Sequence, residues 1–143
     1  MTMSNANQEY TPILYILMRN DLASLNPGKA VAQGAHAANV MQTRIEQEGS
    51  IDQKAILSEW LGDRGFGTTI TLSVDDRQMQ KILDLHTNHP RVQNFSVAGG
   101  VVDPTYPLRD GATTHLIPLR TCGYLFGLKE DIGYMVSGLE LMA

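Results

Sequence analysis

Residues 13–18 form an uninterrupted apolar run with no alternating polar position, which predicts a strand buried on both faces. Residues 68–74 behave differently. There Ile70, Leu72 and Val74 alternate with Thr69, Thr71 and Ser73, the period of a half-buried strand. Between the two, Ala30, Gly34, Ala37, Met41 and Ile45 recur at helical spacing and predict a helix running to residue 47. Asn26 supplies its cap, and Pro27 is pre-set for the first helical position. The small residues on its inner side predict a helix lying close to a sheet. Gly49-Ser50 breaks it, and a second helix over residues 52–61 carries Ile56, Leu57, Trp60 and Leu61.

Asp75-Asp76 then caps a helix through residue 86, with Met79, Ile82 and Leu83 turned inward and Asn88-His89-Pro90 ending it. Residues 92–102 predict a strand interrupted by Gly99-Gly100. Residues 103–113 predict a loop punctuated by Pro104, Pro107 and Gly111. Residues 116–126 are extended, with Pro118 confining that part to an edge or a bend. A last short helix spans residues 130–137 and stops at Gly138. This alternation predicts an α/β fold: a single domain over residues 11–143, with a small mixed β-sheet of about four strands flanked by helices. A flexible tail is expected over residues 1–10.

Composition narrows the class. A hydrophobic fraction of 43% and a charged fraction of 18% suit a soluble globular domain, and residues 13–18 are far too few to cross a bilayer. No membrane partner is expected. The net charge of −4 argues against indiscriminate nucleic-acid binding but leaves room for a local basic patch. The single Cys122 excludes an internal disulfide, and the polar N-terminus lacks the features of a signal peptide. A cytoplasmic location is the expectation.

The candidate chemistry centres on Lys29, Gln33 and His36. Spaced at i, i+4 and i+7, they stack along one side of a helix near its positive end, an arrangement suited to an anionic or ester-bearing ligand. Each also has a plain structural reading: a solvated lysine, a satisfied surface amide, a core histidine bonded to a carbonyl. Asp110 is either a turn-forming aspartate or a functional carboxylate on a loop. Thr114 is either a site hydroxyl or a β-favouring strand residue. No Walker loop, G-x-G-x-x-G or nucleophile elbow occurs. His86 and His89 have no cysteine near them and do not make a metal site.

Arg19-x-Asp21-Leu22, Gly28-Lys29, Ala32-Gln33 and His36-Ala37 resemble the opening of the second family of peptidyl-tRNA hydrolases, the type typical of archaea and eukaryotes. Leu57-Ser58-Glu59-Trp60, Arg109-Asp110-Gly111-Ala112-x-Thr114 with Pro118 following, and the closing Ser137-Gly138-Leu139-Glu140-Leu141 continue the resemblance in consistent order. The resemblance implies hydrolysis of the ester between a peptide and the 3′ ribose of tRNA, without metal or organic cofactor, by a protein that is often a homodimer. It implies catalytic roles for Lys29, Asp110 and Thr114, and supporting or substrate-binding roles for Gln33, His36, Arg19, Arg109 and Thr121. An ungapped alignment sets Cys122 where the family has a functional threonine; Thr121 takes that place if the preceding loop is one residue shorter. A second reading is a catalytically silent relative that kept the fold as an RNA- or protein-binding module.

Overall fold

Strand β1, Pro12–Arg19, occupies the middle of a five-stranded sheet and is buried along Ile13 to Met18. The computed structural model describes residues 10–142. After β1 come helices α1 (Pro27–Glu48) and α2 (Ile51–Gly62), strand β2 (Thr69–Val74), and helices α3 (Asp76–Thr87) and α4 (Pro90–Gln93). Two long strands follow, β3 (Val97–Asp110) and β4 (Thr113–Leu128), then a short helix α5 (Lys129–Ile132), a 3-10 turn (Gly133–Val136) and strand β5 (Glu140–Leu141). The sheet order is β3-β4-β1-β2-β5, with β1 and β2 parallel and every other pair antiparallel.

The absence of polar alternation in β1 has a direct cause. Leu14, Ile16 and Met18 face α1 and α2, in a cluster with Ala37, Met41, Ile45, Ile56 and Trp60. Ile13, Tyr15 and Leu17 face α3 and the C-terminal turns, in a cluster with Met79, Ile82, Ile132 and Met135. Helices cover both faces, and each fully buried aliphatic chain of β1 stabilises the fold by about 1.5–3 kcal/mol. Reciprocal capping boxes start α2 and α3, Ser50 with Gln53 and Asp75 with Gln78. Trp60 donates its indole N–H to the carbonyl of Thr68 (2.8 Å) and stands edge-on to Phe126. Its ring fills the space a Cβ at residue 67 would need, so that position is glycine.

The sheet has the expected strands plus a fifth, the two-residue β5. The main departure is at residues 103–113, which form not a loop but the far end of β3 and the turn of a hairpin. β3 is an edge strand, so Pro104 and Pro107 need not supply ladder bonds on both sides. Gly111, at φ 60°, turns the chain between Asp110 and Thr113 where primed hairpin turns require a positive φ. Residues 92–96, expected in a strand, instead belong to α4 and the turn after it. Of the expected tail, residues 1–9 lie outside the described residues, while Tyr10 packs half-buried against the α1/α2 cluster. Among the described residues no helix is long and apolar enough to cross a membrane.

Candidate active site

Three segments meet where β1 ends: the first turns of α1, the middle of β3 and the middle of β4. Asn26 caps α1, its Oδ1 accepting from the backbone N–H of Lys29 (2.9 Å). This fixes Lys29 in the first turn, where the macrodipole already favours anions. One turn later Gln33 is buried (4% exposed), with both ends of its amide bonded. Gln33 Nε2 donates to Asp103 Oδ2 (2.7 Å), and Thr121 Oγ1 donates to Gln33 Oε1 (2.7 Å). A carboxylate only accepts, so Asp103 sets the orientation of the amide.

Two irregularities in the β3–β4 ladder create this meeting. The pairing runs Val101↔Cys122 and then Val102↔Arg120, so Thr121 is an extra residue on β4. Such a bulge turns two successive side chains to one face. Thr121 and Cys122 both reach α1, with Cys122 Sγ donating to the Gln33 carbonyl (3.4 Å). The pairing then runs Asp103↔Leu119 and Tyr106↔Ile117, an extra residue on β3. Thr105 lies inside that second bulge and donates its backbone N–H to Asp103 Oδ1 (2.9 Å).

Asp103 thus accepts at both oxygens. The Thr105 N–H first, then the Gln33 amide and the charge of His36, hold its carboxyl below the ordinary value of 3.8. It stays ionised at neutral pH. Burial does the reverse to Cys122, pushing the thiol up to about 11 and leaving it protonated. Arg19 is occupied: its guanidinium grips Asp21 through two bonds (2.7 and 2.9 Å) and donates to the carbonyl of Arg120 (3.0 Å). Arg120 in turn binds Asp76 (2.9 and 3.0 Å) and Gln80 (2.7 Å). This network holds the carboxyl end of β1 against α3 rather than offering free cations.

The structure therefore brings together Lys29, Gln33 and Thr121 of the expected residues, with His36 on the exposed side of α1 near Asp103. It does not bring Asp110, Thr114 or Arg109 to them. Those three sit at the exposed end of the hairpin, where Asp110 lies seven residues beyond Asp103, or roughly 20 Å along the strand, and Thr114 pairs with Arg109. There Asp110 Oδ2 lies 3.9 Å from His115 Nε2 and its side chain is 87% exposed. Asp103 and Tyr106 enter the site from a segment read as loop. The available signal was Asp-Pro-Thr directly after the apolar pair Val101-Val102, an aspartate at a strand's end with a turn-type backbone partner two residues on. Among the described residues no three His, Cys, Asp or Glu side chains cluster as metal ligands.

No curated protein matches the chain. The family model described as peptidyl-tRNA hydrolase PTH2 matches residues 13–96, more than half of the chain. That span holds β1, both helices over one sheet face, β2 and α3, together with Lys29, Gln33 and His36; it ends before Asp103 and Thr121. The chain belongs to the PTH2 family of peptidyl-tRNA hydrolases.

Proposed function

We propose that this protein hydrolyses the ester between a peptide, or an N-blocked amino acid, and the 3′ ribose of tRNA by direct attack of water. The observation that carries the reading is the bonded chain Thr121–Gln33–Asp103 set beside Lys29 at the N-terminus of α1. The water oxygen attacks the ester carbonyl carbon, with one water proton hydrogen-bonded to the Asp103 carboxylate. A carboxylate held at low pKa is a weak base, so Asp103 contributes more by fixing the water than by removing its proton. Lys29 and the positive end of the α1 macrodipole stabilise the negative charge that develops on the carbonyl oxygen. When the carbon–oxygen bond to ribose breaks, the proton released by the water ends on the ribose oxygen.

Gln33 holds Asp103, and Thr121 holds Gln33. Neither needs to touch substrate. A nucleophilic route through Cys122 is disfavoured by its burial and its protonated thiol. The reading requires no metal or organic cofactor, and it carries with it action in the cytoplasm, where peptidyl-tRNA is formed.

The test is release of free tRNA from N-acetyl-aminoacyl-tRNA by the purified protein with EDTA present. Turnover that survives EDTA supports the reading. Retained tRNA affinity without turnover overturns it in favour of a binding module.

A further inference from the structure

Tyr106 is 0% exposed although it belongs to a hairpin whose neighbouring residues Thr105, Arg109, Thr114 and Leu116 are all exposed. Its ring lies beneath the ammonium of Lys29, with Nζ 5.3 Å from the ring centroid. Its hydroxyl shares a 2.9 Å hydrogen bond with Ser24 Oγ, in the segment leading into α1. Among the described residues no carboxylate forms an ion pair with Lys29.

The second bulge is what delivers the ring. Strict alternation along β3 would put residues 103 and 105 on the α1 face and turn 106 away. The extra residue between Asp103 and Tyr106 restores Tyr106 to the side that Asp103 occupies. The irregularity leaves no obvious donor unpaired, because Pro104 has no N–H and the N–H of Thr105 goes to Asp103.

We infer that Tyr106 is a positioning residue for Lys29: its π-face holds the ammonium in the orientation the site uses, and Ser24 fixes the ring. Lysine is a point charge on four rotatable bonds, so a cation poised for an oxyanion must be held by something that leaves its charge intact. A carboxylate partner would neutralise it. An aromatic face attracts the ammonium and accepts no proton. The inference rests on the reading of Lys29 given under Proposed function.

Hydrolysis of N-acetyl-aminoacyl-tRNA is measured for wild type, Tyr106→Leu, Tyr106→Phe and Tyr106→Trp. Tyr106→Leu is expected to lower kcat by between about tenfold and 100-fold with KM little changed, as for a misplaced reacting group. Phe and Trp keep a π-face and are expected to rescue most of the rate. In a cycle with Lys29→Ala, the double variant with Tyr106→Leu should be no slower than Lys29→Ala alone; additive losses overturn the inference. Should Tyr106→Leu fail to fold, the wild-type protein still decides the matter, because the Lys29 ε-methylene protons must resonate upfield under the ring. Unshifted resonances overturn the inference. A wild-type protein without turnover overturns the hydrolase reading instead, and the ring-current shift then still reports whether Tyr106 holds the ammonium.

Discussion

Thr121 and Cys122 are consecutive in β4, yet both engage Gln33 of α1, the hydroxyl at its side-chain oxygen (2.7 Å) and the thiol at its backbone carbonyl (3.4 Å). Only the bulge at Thr121 allows it, since consecutive residues of a regular strand face opposite ways. The bulge also sets the Thr121 hydroxyl against Gln33 without displacing Cys122 from the core.

Thr121 is 0% exposed, so losing its donor strands a buried amide oxygen. Thr121→Val is expected to destabilise the fold by about 1–3 kcal/mol, the desolvation penalty of an unpaired buried polar group. Thr121→Ser keeps the hydroxyl and should cost less than half as much. Urea unfolding followed at constant slope measures both.

Asp103 and Asp110 make a paired comparison. Asp103→Asn keeps the shape but loses the charge, and it places an amide donor opposite the Gln33 and Thr105 donors. It should lower kcat/KM by about 100-fold or more. Asp110→Asn, at an exposed hairpin end, should remain within about threefold of wild type, as surface changes usually do. Equal losses in the two variants would mean that the hairpin end folds onto the substrate.

The same pair shows where the sequence was readable. Lys29, Gln33 and His36 were legible because helical spacing and a cap at Asn26 fix their side of α1 with no reference to distant residues. The double-sided burial of β1 was legible from its unbroken apolar run. The Asp103 carboxylate beside Gln33 was not, because its place depends on register. Two one-residue irregularities decide which residues of β3 and β4 face α1, and neither follows from local propensity. Pro104 and Pro107 signalled loop, whereas the edge strand β3 with its bulge accommodates both. Asp110 carried the stronger motif-like context, and Asp103 occupies the site.

Cys122 should be inert in the folded protein. Its thiol titrates near 11 and is fully buried, so the thiolate that reacts with iodoacetamide is scarce at neutral pH. Hydrolase activity is expected to survive prolonged iodoacetamide treatment, and mass spectrometry should find Cys122 unmodified until denaturant is added. Rapid native alkylation with parallel loss of turnover would instead place a reactive thiol in the mechanism.

His86 gives the fold a pH dependence far from the site. It is 6% exposed at the end of α3, with Nε2 2.8 Å from Ser96 Oγ. Ser96 already donates its hydroxyl to the Val92 carbonyl (2.6 Å), so Nε2 carries the imidazole proton and donates to Ser96. Burial first, then the charges of Arg44 and His89, push the His86 pKa below its ordinary 6.5. The unfolded chain therefore binds the proton more tightly than the folded one. Between the folded and unfolded pKa values the unfolded state holds more protons, so stability rises with pH through that window. The contribution is complete above 6.5 and is lost as pH falls toward the folded value. His86→Gln keeps an N–H for Ser96 but does not titrate. Wild type should lose more stability than this variant on going from about pH 7.5 to about pH 5.5, because only in wild type does the unfolded chain take up a proton at residue 86 that the folded state resists. Thermal melts at both pH values measure the difference, and the other histidines cancel in the comparison. Parallel curves for the two proteins would mean that His86 takes up its proton in the folded state as readily as in the unfolded chain.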